Sequence, residues 1–161
     1  TGSLTSASKL LTCVLMFIGG SPGSTAGGIK TTTIFILVVS LWSGITDRHK
    51  TAVFKRRFED DAIKKASTVF TLNMFLAIFA LFTILAITDL SLSDVMFEVF
   101  SAIGTVGMTT GITRDLSSAA RIIIMVLMFC GRVGSLSFAL TFLQGKKDPP
   151  VYYPEEEISV G

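Results

Sequence analysis

The sequence predicts an all-α membrane protein, built from units in which two helices flank a short re-entrant loop. Half of its 161 residues are hydrophobic and 16% are charged, whereas a soluble domain carries about 25% charged residues. The mean hydropathy is +0.66. Two uncharged, glycine-rich runs interrupt the apolar segments, and irregular backbone persists at membrane depth only where protein or a polar cavity satisfies it. The net charge of +2 is too small to indicate a nucleic-acid partner.

The first apolar region is predicted to form one transmembrane helix that is broken at membrane depth. Lys9 to Ile18 is apolar but has about half of the ~20 residues that a span needs. It leads into Gly19–Gly28, ten residues with five glycines and one proline, which a continuous helix does not tolerate. A second apolar run follows from Ile34 to Ile45. Broken helices of this kind mark ion and substrate paths in transporters.

Two other interpretations of the glycine-rich decapeptide are less favoured. An ordinary turn outside the membrane is one, but Leu10 to Ile29 carries no charge. A phosphate-binding loop is the other, but Ile29 separates Gly28 from Lys30 and puts the pattern one residue out of step. No β-strand pattern precedes the loop, so nucleotide binding is not expected.

The segment from Asp47 to Lys65 carries the main concentration of charge, with seven basic residues and four acidic ones. By the positive-inside rule it is cytoplasmic. Its basic residues act either as a topology signal alone or as a docking surface for a cytosolic partner. His49 is interpreted as a solvated loop residue. Glu59–Asp61 predicts a helix start, because acids are favourable in a first helical turn.

The second half predicts a helix, a half-length helix, a loop and another helix. Ala66 to Thr88 has 23 residues without a charge, enough for a full transmembrane helix. After an outside turn, Leu92 to Ala102 predicts a short amphipathic helix that Ser91 or Ser93 can cap. Ser117 to Phe142 predicts a further long apolar helix.

Between these helices, Ser101–Gly111 is an uncharged run around Thr105-Val106-Gly107. A Thr-Val-Gly core at membrane depth is the pattern of a potassium-selective filter, in which stacked carbonyls replace the water shell of the ion. Glu98, just before the run, either anchors the backbone N–H groups of the loop or attracts cations. The anchor is preferred, because lone acids in a membrane are costly.

Arg132 is the only charge between Arg121 and Lys146, and a charged residue within a span indicates function. It either repels cations or donates hydrogen bonds to loop carbonyls, and we prefer the second role. Cys13 and Cys130 have no partner motif and are expected to be inert buried thiols. No nucleophile–base pair or metal cluster is visible in the sequence, so the function expected is not enzymatic.

The sequence contains an internal repeat with an offset of 112 residues. The shift superposes four successive identities and two matched single positions: Val14–Phe17 on Val126–Phe129, Lys9 on Arg121, and Gly19 on Gly131. We therefore expect the first helix to be the second helix of a preceding unit, and a further pore helix and filter to stand before Thr1.

Gly19–Thr31 and Gly104–Thr109 resemble the third and fourth repeats of the Trk/Ktr/HKT superfamily of potassium transporters, and Val53–Arg57 with the short tail resembles the bacterial KtrB type. The resemblance implies potassium-channel-like repeats around one pore. It implies a fourth filter strand from Thr105, Val106, Gly107 and Met108, which binds potassium through its backbone, with Glu98 as filter support. It also implies a gate made of Gly19, Gly20, Ser21, Pro22, Gly23, Ser24, Thr25, Ala26, Gly27, Gly28, Lys30 and Arg132.

The domain organisation that follows has four parts. Residues 1–45 form the broken second helix of a preceding repeat, and 46–65 form a cytoplasmic loop. Residues 66–145 form a complete helix/pore-helix/filter/helix repeat, and 146–161 form a cytoplasmic tail. The resemblance further implies a multi-pass protein of the plasma membrane, in contact with lipid and dimeric in its full-length form. A cytosolic nucleotide-binding regulatory subunit (KtrA/TrkA-like) is the implied partner, and sodium is a possible coupling ion.

The function expected is potassium uptake, as part of the pore-forming subunit. Two alternatives remain open at this point. One is a small cation channel in which four copies of Ala66–Phe142 assemble. The other is a non-conducting fragment of a split transporter.

Overall fold

The structure is a computed structural model that describes residues 4–46, 52–53, 56–57 and 60–134. Its elements are helices α1 (Ser6–Ile18) and α2 (Thr31–Ile45), strands β1 (Ala52–Val53) and β2 (Arg56–Arg57), helices α3 (Asp60–Ile87) and α4 (Leu92–Ile103), a 3₁₀ helix (Ile112–Arg114) and helix α5 (Ser118–Val133). The two short strands pair antiparallel. Apart from them the described elements are helical, which confirms the predicted all-α class.

Helix α3 is the long apolar helix. It begins at Asp60, as the acidic Glu59–Asp61 predicted, because carboxylates are favourable in a first helical turn, and the uncharged stretch from Ala66 follows. In the part of the chain that the structure describes, Asp61–Ile87 is the one helix that is long and apolar enough to cross a membrane. Asn73, its polar interior residue, is buried, and its Nδ2 donates to the carbonyl of Val69 at 2.8 Å.

Helix α4 lies at the centre of the packing, against α1, α3 and α5. It begins at a Ser91 cap, whose Oγ accepts a hydrogen bond from the Asp94 N–H at 3.3 Å. Seven of its twelve residues are buried. Its apolar face joins one core cluster with α3 and α5, composed of Ala77, Ala80, Ile84, Val95, Val99, Ala102, Ile103, Leu116, Ala120, Ile124 and Leu127. This burial fixes the end of α4, where the filter-like run begins.

Helix α1 covers a second face of α4. Cys13 and Met16 pack with Phe97 in a separate cluster, and the Phe17 ring meets the Phe100 ring edge-on at 5.3 Å. Edge-to-face pairs of this kind add about 0.5–1.5 kcal/mol to the burial of the rings. The first helix is therefore held by its packing against α4.

An ion pair joins the N-terminal parts of α1 and α4. The Lys9 Nζ lies 2.8 Å from the Asp94 carboxylate, and Ser91 Oγ donates to the same carboxylate. The hydrogen bonds from Lys9 and Ser91 lower the pKa of the Asp94 carboxyl. Because the folded-state pKa is lowered, the stabilisation is present above the ordinary carboxyl pKa and is lost as the pH falls through the lowered one.

Both equivalent helices of the internal repeat are short. Helix α1 ends at Ile18, as predicted, but the prediction of one continuous helix from Ser117 to Phe142 is wrong. Helix α5 ends at Val133, because Gly134 has φ 88°, a left-handed conformation that a helix cannot continue through.

Several predicted features lie outside the described residues. These are His49 together with eight other residues of the 46–65 segment, the region from 135 toward Phe142, and the 146–161 tail. Cys13 and Cys130 are both buried and free.

Helices α4 and α5 come into close backbone contact at Gly131. A Cβ added to Gly131 would clash with the Ile103 carbonyl oxygen and would lie 2.9 Å from its carbon. Because the side chain of Gly131 is a single hydrogen, α5 can touch the last turn of α4 directly. The approach sets how closely the filter-like run lies to α5.

We expect the Gly131→Ala variant to be destabilised by about 1–3 kcal/mol, as for an overpacked core. The measurement is the thermal unfolding midpoint of the purified protein in detergent. Gly44→Ala is the matched control, because no described atom lies within 4 Å of a Cβ at Gly44, and alanine suits a helix better than glycine. Equal midpoints for the two variants would show that the backbones do not meet at Gly131.

Candidate functional site: a filter-like run above a glycine loop

The filter-like run leaves the buried end of α4 in a bent path. Backbone hydrogen bonds fold its start back on the helix: Gly104 N to Phe100 O at 2.9 Å, Thr105 N to Ala102 O at 3.1 Å, and Val106 N to Ser101 O at 3.0 Å. Thr105 has φ 52° and Gly107 has φ 79°. Positive φ is costly for threonine and free for glycine. Left-handed residues two positions apart reverse alternate peptide units, so that neighbouring carbonyls can turn toward one side.

Glu98 holds the far end of this run. It is 5% exposed, and its carboxyl oxygen Oε1 accepts hydrogen bonds from the hydroxyls of Thr109 and Thr113, the latter at 2.8 Å. Thr109 Oγ1 also accepts from the N–H of Gly111 at 2.9 Å. The anchoring contact that the sequence suggested therefore exists, but the expected partners were wrong. Glu98 binds threonine hydroxyls, and one of these in turn binds the backbone.

The glycine loop, residues 19–30 between α1 and α2, is tied back to α1 at its end. The Ile29 N–H donates to the Phe17 carbonyl at 3.3 Å, and the Thr31 N–H donates to the Gly20 carbonyl at 3.2 Å. The Ile29 side chain is fully buried. The end of the loop is thus a fixed part of the fold.

The buried corner of the loop touches the filter-like run. The Gly27 N–H donates to Thr105 Oγ1 at 2.9 Å. A Cβ on Gly27 would lie 2.7 Å from two atoms of the Thr105 side chain and 2.9 Å from the Gly131 carbonyl oxygen. Gly28 lies next to Gly104. Three distant segments of the chain therefore meet at their backbones.

The tip of the loop, residues 21–26, is exposed and is held by two cations. Lys30 Nζ donates to the carbonyls of Ala26 at 2.6 Å and Ser24 at 3.4 Å. Arg132 Nη1 donates to the Thr25 carbonyl. Arg132 thus makes the type of contact that the sequence suggested, while its role in a gate stays a prediction.

A cleft of about 310 Å³ opens between the run and α5, lined by Ser101, Thr105, Gly107, Met128 and Arg132. Two filter-like residues and the arginine therefore line the same cleft. Met108 and Val106 lie outside it and are 36% and 45% exposed.

The comparisons with known proteins agree with the fold. The sequence model of TrkH, described as a cation transport protein, matches residues 1–148. The chain belongs to this family. It is 40% identical over 161 residues to the Ktr system potassium uptake protein D of Bacillus subtilis, covering 98% of the chain and 35% of that relative. It is 37% identical over 162 residues to the potassium/sodium uptake protein NtpJ of Enterococcus hirae, covering 96% and 36%.

A third relative is the Ktr system potassium uptake protein B of Bacillus subtilis, at 34% identity over 160 residues, covering 99% of the chain and 36% of the relative. These matches confirm the Trk/Ktr resemblance. The chain spans about a third of the length of the curated relatives that it matches.

Sequence reasoning missed three contributors to this site of the TrkH-family chain. Thr109 and Thr113 are the partners of Glu98, and no spacing rule signals a contact that depends on the path of the loop. Gly131 is the third, and a signal for it existed. It aligns with Gly19 across the 112-residue offset, and both glycines lie where a Cβ would meet the backbone of another segment.

We expect Thr113→Val to destabilise the protein by about 1 kcal/mol, the net value of one hydrogen bond, because it removes a donor from Glu98 without changing side-chain size. The matched control is Thr83→Val, whose hydroxyl donates only to the Phe79 carbonyl of its own helix among the described contacts. Thermal unfolding in detergent measures both. A control as unstable as Thr113→Val would mean that Glu98 does not anchor the run through Thr113.

Proposed function

We propose that the chain forms part of the pore of a potassium uptake transporter, in which the filter-like run is one wall of a selectivity filter. The observation that carries the proposal is the backbone of Thr105 and Gly107. Both residues are left-handed, in an uncharged run that begins at a buried helix end. Carbonyls arranged in this way can replace the hydration shell of K⁺. The relatives are named for potassium uptake or for potassium/sodium uptake.

The proposed organisation is the four-part division given above, with residues 66–145 as one repeat and 1–45 as the end of another. The packing of α1 supports it. Cys13, Met16 and Phe17 of α1 are buried beside α4, the pore helix of the following unit. Their repeat equivalents in α5, Met125, Met128 and Phe129, are 58%, 43% and 59% exposed. A ring of repeats would cover this face of α5 as α4 covers α1.

The proposed gate is the glycine loop, with Lys30 and Arg132 holding its tip. Charged side chains at membrane depth are expensive unless they are paired or serve function. Here both cations bind loop carbonyls, which are the acceptors that a non-helical loop leaves open. Moving the tip requires only that Lys30 and Arg132 lose their hydrogen bonds to the loop carbonyls. The path below the filter-like run would then widen.

The proposed setting is the plasma membrane, with residues 46–65 and the C-terminal tail in the cytoplasm and lipid around the helices. Two of the relatives are named as parts of a Ktr system, and a system has more than one component. This supports a partner of some kind, which we propose to be the cytosolic nucleotide-binding regulatory subunit of a dimeric transporter. The name of the third relative supports sodium as a coupling ion.

We expect Gly107→Ser, introduced into the complete transporter, to lower the preference for K⁺ over Na⁺ by about tenfold, which corresponds to about 1.4 kcal/mol. A side chain at φ 79° strains the backbone and turns the carbonyls away from the ion. Competitive uptake of rubidium-86 in potassium-depleted cells measures the preference.

Gly111→Ser is the control for this test. Gly111 also has positive φ and no described atom within 4 Å of a Cβ, but it lies three residues beyond Met108, the last of the proposed filter residues. Unchanged selectivity in Gly107→Ser, or the same loss in both variants, would contradict the filter assignment.

We expect removal of Pro22–Ser24 from the exposed tip to raise the rate of potassium uptake, because a shorter loop obstructs less of the path. Initial uptake rates are compared after correction for the amount of protein in the membrane. An unaltered or lower rate, with the protein present and folded, would count against a gate.

A further inference from the structure

We propose that Gly27 is a positioning residue for ion selectivity, through its hydrogen bond to Thr105. The inference rests on the proposed function and goes beyond it, since it makes the filter and the proposed gate one mechanical unit. The loop corner does not merely lie below the filter. It supports the side chain of the first filter residue.

The conformation of Thr105 requires such a support. Its φ of 52° is an unusual conformation for a β-branched residue, and strained residues persist only where their surroundings hold them. The backbone N–H of Thr105 binds Ala102, and its hydroxyl accepts the Gly27 N–H at 2.9 Å. The glycine loop therefore supplies the hydrogen bond that joins this side chain to a segment distant in sequence.

Gly27 fits this position because it has no side chain. It lies between the Thr105 side chain and the Gly131 carbonyl, each closer than 3 Å to where a Cβ would stand. Its φ lies outside the left-handed range, so backbone conformation does not demand glycine. What demands glycine is the space between the filter-like run and α5.

The loop consequently has two parts with different tasks. Residues 21–26 are exposed and held by two side chains, whereas Gly27 and Ile29 are buried and bonded to backbone or to Thr105. The tip can move while the corner stays. A movement large enough to displace the corner also releases Thr105, and selectivity then changes together with opening.

The first test is the Gly27→Ala variant of the complete transporter, with Gly44→Ala in helix α2 as the matched control. A Cβ at Gly44 has no described atom within 4 Å, and Gly44 lies outside both the glycine loop and the filter-like run. We expect Gly27→Ala to lower the K⁺/Na⁺ preference by about fivefold or more, the usual lower range of coupling between sites. Gly44→Ala is expected to keep the preference. A preference kept in Gly27→Ala, or lost equally in both, would overturn the inference.

A double-mutant cycle tests whether Gly27 acts through Thr105. Serine at position 105 keeps the hydroxyl but lacks the Cγ2 atom that the new Cβ would strike. Thr105→Ser combined with Gly27→Ala is expected to lose less preference than the two single losses together. Additive losses would show that Gly27 acts elsewhere.

A second measurement needs no transport and remains available if Gly27→Ala does not fold. Thr105→Val removes the acceptor, so hydrogen exchange of the Gly27 amide is expected to speed up, while Thr105→Ser leaves it slow. Equal exchange in both would overturn the contact itself. Slow exchange in Thr105→Ser and fast exchange in Thr105→Val, with no potassium selectivity in the wild type, would instead refute the proposed function and leave the contact standing.

Discussion

The architecture depends on one constraint. Two irregular segments carry backbone N–H and carbonyl groups that no helix pairs, and other groups of the protein must form hydrogen bonds with them. Helix α1 stops at Ile18 and α4 stops at Ile103, and the C-terminal end of each leaves carbonyl groups without a helical partner. The non-helical residues that follow add N–H groups of their own, and in a membrane none of these groups can turn to bulk water. One of them, the Gly27 N–H, is satisfied by the Thr105 hydroxyl. The closeness of α5 at Gly131 completes the contact.

The two cations of the loop follow from the same constraint. A non-helical segment leaves carbonyls over, and a donor-only side chain is the simplest partner for them. Lys30 reaches back from the start of α2, and Arg132 reaches across from the end of α5. The charges are placed where acceptors are in surplus. This explains why cations lie among apolar segments without a carboxylate partner among the described ion pairs.

Much of the fold was predictable from local patterns. Hydropathy and helix-breaking residues placed α1, the glycine loop, α2, α3 and α4, since these signals act over a few neighbouring residues. The contact of Arg132 with the loop was suggested because a charge in an apolar segment demands a partner. The end of α5 was missed, because hydropathy continues past Gly134 and does not reveal its φ of 88°.

The contacts that join segments far apart in sequence were predictable only in part. Glu98 was identified as an anchor, but its threonine partners lie beyond a loop whose path no periodicity describes. The Gly27–Thr105 hydrogen bond spans 78 residues, and it depends on a hydroxyl direction set by an unusual φ. The repeat offset did contain usable information, since it paired Gly19 with Gly131. Both glycines lie where another backbone segment comes close, although Gly19 ends helix α1 and Gly131 lies within α5.

The division of the glycine loop into a fixed corner and a held tip follows from the kinds of bond in each part. Backbone and hydroxyl bonds at Gly27 and Ile29 have short, stiff partners, and releasing them exposes buried polar groups at a cost of about 1–3 kcal/mol each. The tip bonds end on Lys30 and Arg132, long side chains that can rotate away and find other acceptors. The tip and the corner of the loop therefore differ in the length and flexibility of the groups that bind them. The same loop can therefore be rigid where it bonds Thr105 and movable at its exposed tip.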